Sequence, residues 1–313
     1  MKLVKSIPPK TPMDMPMMDA SAITRKFLDI SYTPDSPHPA RQLDIYLPET
    51  GDGPFPTLIC IHGGAFIAGS KDDDQVSGFV DGVARGFAVV SVEQRLCTPF
   101  PDGSGFSQEG VFPNPLFDFK AAIRFLRVNA AKYSLDPTRF ATAGDSAGGY
   151  HAILAALTAD VPSLYDDSLG FADVDGSVQA VVDWFGVGDL YVTASYGEAH
   201  ETMTAPNGMV VPRMVFDDIF LGLRTVEHPN FTYFASPETY ITKNAPPVLF
   251  QHGEDDDIVV IDASRRIAAK MDAVCPGKAR LEAFPGYLHG DQRFYLDENL
   301  DHVFDWLRTT LGA

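Results

Sequence analysis

Apolar residues along the chain follow two rhythms. Residues 57–62 (TLICIH) and 87–92 (FAVVSV) are unbroken apolar runs of strand length, the pattern of strands buried on both faces of a parallel sheet. Residues 42–47 (QLDIYL) alternate like a half-buried strand and run into a turn marked by Pro48, Gly51 and Gly53. Asn114 followed by Pro115 opens a helix, carried to about residue 133 by Phe119, Ile123 and Leu126 at helical spacing. A short strand at 139–143 then meets a Gly/Ser-rich turn and an Ala/Leu-rich helix to about 159. Further buried strands are predicted at 178–185, 247–252 and 279–284. A helix between the last two places Ile267, Met271 and Val274 on one face, and a final helix covers roughly 296–311.

Alternating strands and helices predict an α/β chain with a mostly parallel central sheet and helices on both faces. Residues 186–245 break the alternation and are expected to form an insertion, a small lid over the site. Residues 1–39 are expected to be an N-terminal arm, irregular over its Met- and Pro-rich first 22 residues and without chemistry, so that the folded domain runs from 40 to 313.

Composition narrows the functional classes. At 45% hydrophobic and 21% charged residues, 313 residues can bury a core as one large domain. The 42 acidic against 24 basic residues give a net charge of −18, which repels phosphate backbones and anionic lipid, so neither nucleic acid nor membrane is an expected partner. Cys60, Cys97 and Cys275 are an odd set without metal-ligand spacing, as in a reducing compartment. With no secretory-type leader and no run long enough to span a bilayer, the expected location is cytoplasmic.

Four short segments carry chemistry. Gly144-Asp145-Ser146-Ala147-Gly148 is a Gly-x-Ser-x-Gly turn between a strand and a helix, where small neighbours allow a sharp turn that exposes the Ser146 hydroxyl. His62-Gly63-Gly64-Ala65-Phe66 follows a buried strand, and its glycines let backbone N–H groups turn toward a developing oxyanion; Gly63, Gly64 and the Ala147 amide are the candidate donors, with His62 expected to fix the loop. The acidic run Asp255-Asp256-Asp257 ends the penultimate strand and can supply a carboxylate that orients an imidazole, although a solvated loop or a loose cation site would read the same way. His289 sits in a loop after the last strand, on the sheet edge where open α/β sheets hold their ligands. Of the remaining histidines, His38, His200, His228 and His302 lie outside any strand-end site, His62 and His252 adjoin glycines in structural turns, and His151 is on the helix after Ser146.

Taken together, HGGAF at 62–66, GDSAGG at 144–149, APPVLFQHGEDDDIV at 245–259 and LHG at 288–290 resemble the α/β-hydrolase esterases of the hormone-sensitive-lipase-like and bacterial feruloyl or acetyl esterase-like groups, over about residues 40 to 311. The resemblance implies an α/β-hydrolase fold and a carboxylesterase acting on small acyl or aryl esters, acetylated or feruloylated carbohydrates among them. It places the acid of the His-Gly-x-x-Asp-x-x-Val pattern on Asp256, for a triad of Ser146, Asp256 and His289, and assigns the oxyanion donors to Gly63, Gly64 and Ala147. Neither metal nor organic cofactor is needed. A formamidase using the same triad and a hydrolase-like ligand-binding protein are the alternatives. Where relatives often read Tyr-Arg-Leu, this chain has Gln94-Arg95-Leu96 and a long loop whose Phe100, Phe106 and Phe112 either line a substrate pocket or anchor the loop.

Overall fold

The computed structural model describes residues 2–7, 16–205 and 208–313. Eight strands form one sheet: β1 (Lys26–Ser31), β2 (Gln42–Tyr46), β3 (Phe55–Ile61), β4 (Ala88–Val92), β5 (Leu135–Asp145), β6 (Ala180–Trp184), β7 (Val248–Gly253) and β8 (Ala279–Phe284). Their order across the sheet is β8-β7-β6-β5-β3-β4-β2-β1. Strands β3 to β8 are parallel, β2 is antiparallel to β4, and β1 is antiparallel to β2. This is the α/β-hydrolase architecture.

The unbroken apolar runs are the strands covered on both faces. Within β3, Ile59 and Ile61 join the core layer that contains α1 (Asn114–Val128) and α2 (Ala147–Leu157), whereas Leu58 and Cys60 join the opposite layer. Side chains alternate across a strand, so a strand with helices on each side must be apolar at every position. Helix α6 (Ile261–Val274) buries Ile267 and Met271 but leaves Val274 40% exposed, so the predicted face ends one turn early. Helix α7 (Asp297–Leu311) closes the second face through Val303, Phe304 and Leu307.

Three sequence expectations shift. The arm expected up to residue 39 contains β1, and Lys5–Ile7 pairs antiparallel with Met17–Asp19 in a separate two-stranded sheet. Strand β1 escaped recognition because its register slips between Phe27 and Ile30, with Asp29 at φ 54°, and a bulge destroys the period-two pattern that marks a strand. Strand β5 begins at Leu135 rather than 139, since Leu135 pairs with Phe55 ahead of a register irregularity near Pro137. The insertion is only partly a lid. Its α3 (Leu190–Ala199), α4 (Phe216–Leu221) and α5 (Pro229–Ala235) give Leu190, Phe220 and Ala235 to the main core, and the antiparallel pair Thr202–Thr204 and Val210–Pro212 meets the loop after β7 where Thr204 bonds to Asp257.

Candidate active site

The loops leaving the carboxyl ends of β3, β5, β7 and β8 converge at one edge of the sheet. Ser146, between β5 and α2, sits at φ 51° and ψ −120°, a conformation costly for a residue with a side chain. The turn is held because its neighbours are glycines: a Cβ on Gly148 would lie 2.1 Å from the Ile61 carbonyl oxygen, and one on Gly144 would lie 2.3 Å from the Gly148 backbone. The Ser146 N–H donates to the Trp184 carbonyl at 2.9 Å, tying the strained residue to β6.

Ser146 Oγ lies 2.9 Å from His289 Nε2, and His289 Nδ1 lies 2.7 Å from Asp256 Oδ2. The structure thus brings together three residues separated by up to 143 positions in sequence. The His289 ring is set edge-on to Phe185, 4.9 Å between centroids. Asp256 is buried and fully satisfied: Oδ1 accepts the N–H groups of Ile258 and Val259, while Oδ2 faces both His289 and His252. Burial pushes its carboxyl up, but the His289 ring and the hydrogen bond from His252 outweigh this and hold it well below the usual carboxylate range. The neighbouring aspartates point elsewhere. Asp255 is exposed, and Asp257 accepts from the Thr204 N–H and hydroxyl, clamping the insertion hairpin to this loop.

His252 is the residue that sequence reasoning undervalued. It is fully buried, its Nδ1 is 2.8 Å from Ser264 Oγ, and its Nε2 is 2.7 Å from the Val259 carbonyl and 3.1 Å from Asp256 Oδ2. The usable signal was its place four residues before Asp256, at the end of a buried strand.

The loop after β3 requires one correction. The Gly63 N–H, expected among the oxyanion donors, donates instead to Asp145 Oδ1 at 3.0 Å. Gly64 and Ala65, one residue on, line the cavity beside Ser146, both at positive φ. His62 fixes the loop as expected: Nδ1 donates to the Gly63 carbonyl at 2.7 Å and Nε2 meets Glu93 Oε1 at 3.0 Å. Burial disfavours its charged form, but the Glu93 carboxylate overrides this and raises the imidazole to about 9.

Two cavities meet at Ser146. One of about 700 Å³ is lined by His289, Phe185, Gly64 and the N-terminal residues Lys2, Val4, Lys5 and Ser6, and one of about 30 Å³ is lined by Ala147, Val259, Thr193 and Phe216. None of Phe100, Phe106 or Phe112 lines either one among the described residues. Phe112 instead anchors its loop, edge-on to Phe220, Phe231 and Phe234 at about 6 Å.

Among the described residues no helix is long and apolar enough to cross a membrane. The chain is 30% identical over 253 residues to Esterase LipC of Mycobacterium tuberculosis, covering 80% of this chain and 57% of that protein. It is 26% identical over 287 residues to the isoprenylcysteine alpha-carbonyl methylesterase ICME of Arabidopsis thaliana, covering 88% and 60%. The chain therefore spans about half the length of the curated relatives it matches. Among solved structures it is similar to a truncated form of carbohydrate esterase from gut microbiota, at 25% identity and TM-score 0.74, covering 93% of this chain and 98% of that one. A bifunctional GH43-CE protein of Bacteroides eggerthii matches at 27% identity and the same TM-score, covering 94% of this chain and 39% of that one. The BD-FAE family model matches residues 43–271, most of the hydrolase domain from β2 through α6, and on that match the chain belongs to the BD-FAE family of α/β-hydrolase esterases.

Proposed function

We propose that the protein is a serine carboxylesterase in which Ser146 is the nucleophile, His289 the general base and Asp256 the residue that orients it. The observation that carries this reading is the continuous relay from Ser146 Oγ through His289 to Asp256, at 2.9 and 2.7 Å. With its Nδ1–H donated to Asp256, His289 presents a bare Nε2 that accepts the serine proton as Oγ attacks the ester carbonyl carbon. Asp256 then stabilises the imidazolium. The backbone N–H groups of Gly64, Ala65 and Ala147 are the donors available to the oxyanion, each worth roughly 3 kcal/mol of transition-state stabilisation. His289 returns its proton to the departing alkoxide, and water, activated by the same nitrogen, hydrolyses the acyl-enzyme.

The esterase names of the relatives favour ester over amide bonds, and the carbohydrate esterase neighbour makes sugar esters the first natural substrates to try. The three cysteines are free and buried, in keeping with a reducing, cytoplasmic setting.

The deciding experiment is hydrolysis of p-nitrophenyl acetate and butyrate by the wild type beside Ser146→Ala, with N-formylkynurenine in parallel. Wild-type turnover abolished by the substitution is the expected result. Turnover that survives Ser146→Ala removes Ser146 from the mechanism, and activity confined to the formamide replaces esterase with formamidase.

A further inference from the structure

The Ile258 N–H that Asp256 Oδ1 accepts at 2.9 Å belongs to the peptide unit whose carbonyl is that of Asp257. A trans peptide unit is planar, so its C=O and N–H point in opposite directions and turn together. Both ends of this unit are held. Its N–H donates to the Asp256 carboxylate, and its carbonyl accepts from Arg213 Nη2. Each of these bonds has a charged partner, which makes them stronger than ordinary backbone bonds.

Arg213 is itself fixed. Its Nε and Nη2 donate to the Thr202 carbonyl at 3.1 and 2.9 Å, and its guanidinium carbon lies 5.1 Å from the centroid of the Tyr196 ring on α3. The Asp257 side chain adds a second tie, accepting the Thr204 N–H at 3.0 Å and the Thr204 hydroxyl at 2.8 Å. Thr202 and Thr204 stand on one strand of the insertion pair, and Arg213 directly follows the other, in which Val210 faces Thr204 and Pro212 faces Thr202. The pair is therefore fastened to the turn of Asp256 through both the main chain and the side chain of residue 257.

We propose, resting on the esterase reading above, that Arg213 and Asp257 are positioning residues: by fixing the peptide unit between Asp257 and Ile258 they fix the Asp256 carboxylate, and through it the His289 imidazole. The insertion thus reaches the relay from behind, through a single peptide plane. If that plane rotates, the Ile258 N–H leaves Oδ1 and the carboxylate can turn. A misplacement of about 1 Å can cost about a hundredfold in rate, and because the Val259 N–H and His252 still hold Asp256, the expected loss is nearer tenfold.

The test uses the full chain, with kcat and KM on p-nitrophenyl acetate and the rate at which a small organophosphate inactivates the enzyme. Arg213 also lines the smaller cavity, whereas Asp257 lines neither, so Asp257→Leu is the cleaner variant and Arg213→Met its independent partner. Both are expected to lower kcat and the inactivation rate about tenfold, with KM within about twofold of wild type for Asp257→Leu; Arg213→Lys, which keeps a charged donor for the Asp257 carbonyl, is expected to recover most of the loss. Melting temperature identifies the folded variants, and either one alone suffices. Wild-type kcat and inactivation rate in a folded variant overturn the proposal. So does a rise in KM alone with Asp257→Leu, which would make the insertion a wall of the site and nothing more, and so does an Arg213→Lys variant as slow as Arg213→Met. A wild type that neither turns over p-nitrophenyl acetate nor reacts with the organophosphate fails the esterase reading itself, a result distinct from an active wild type with unaffected variants.

Discussion

His252 Nε2 lies 3.1 Å from Asp256 Oδ2, the same oxygen that meets His289 Nδ1 at 2.7 Å. Asp256 is thereby held between two imidazoles, with two backbone N–H groups on its other oxygen. A carboxylate with every lone pair engaged has one orientation, and so has the imidazole it holds. His252→Leu removes one of these contacts. A hydrogen bond to a charged group contributes about 1.5–3 kcal/mol, so kcat/KM on p-nitrophenyl acetate is expected to fall at least about tenfold, with a lower melting temperature. Unchanged kinetics in the folded variant would make His252 a bystander.

The Asp145 carboxyl, next to Ser146, is pushed up to about 8 by burial and by the nearby Asp73, and it accepts the Gly63 N–H. Between its unfolded value of 3.8 and about 8, the folded protein holds a proton that the unfolded chain has lost, so this group lowers stability as pH rises through that window. Asp145→Asn keeps an acceptor for Gly63 and removes the titration. Its melting temperature is expected to fall less than the wild type's between pH 5 and pH 8, with most of the activity retained. A melting curve with the wild-type pH slope would contradict this.

Gly64 sits at φ 105°, and a Cβ there would lie 2.0 Å from the Ala68 carbonyl oxygen. Gly64→Ala cannot keep this loop path. The loop must shift, and with the Gly64 N–H as a proposed oxyanion donor kcat is expected to fall by roughly a hundredfold while Ser146, Asp256 and His289 stay in place. Labelling of Ser146 by an organophosphate, followed by mass spectrometry, checks that Ser146 remains reactive. A kcat close to wild type would place the oxyanion donors elsewhere.

Much of this site was legible before the structure because its residues occupy positions with a strong local signature: Ser146 between a strand and a helix, His289 after the last strand, Asp256 after the penultimate one. What the sequence hid depends on contacts across the sheet edge. Nothing in HGGAF tells that Asp145, 82 residues later, takes the Gly63 N–H. Nor does the Met- and Pro-rich start of the chain announce that Val4 docks in the core and Lys5 faces the cavity. Strand β1 was missed for a local reason, the bulge at Asp29. The three phenylalanines of the long loop were ambiguous because burial in a core and burial in a pocket ask for the same side chain.

His151, on α2, is fully buried between the rings of Phe66, Tyr150 and Phe220, and neither ring nitrogen has a hydrogen-bond partner among the described residues. Burial pushes it down to about 3, so the folded protein keeps it neutral where the unfolded chain would take up a proton below 6.5. The unfolded state therefore binds more protons across that window, and stability drops as pH falls from about 6.5 toward 3. An unsatisfied buried polar group costs about 1–3 kcal/mol. His151→Leu, which fills similar space without polar atoms, is expected to raise the melting temperature at pH 7 and to widen that gain at pH 5, because the variant no longer loses stability to this titration. Differential scanning calorimetry at the two pH values reads both effects. A variant less stable than wild type at pH 7 would mean that the imidazole makes a contact the apolar side chain cannot replace; a gain that stays the same at pH 5 would mean that another group sets the acid limb.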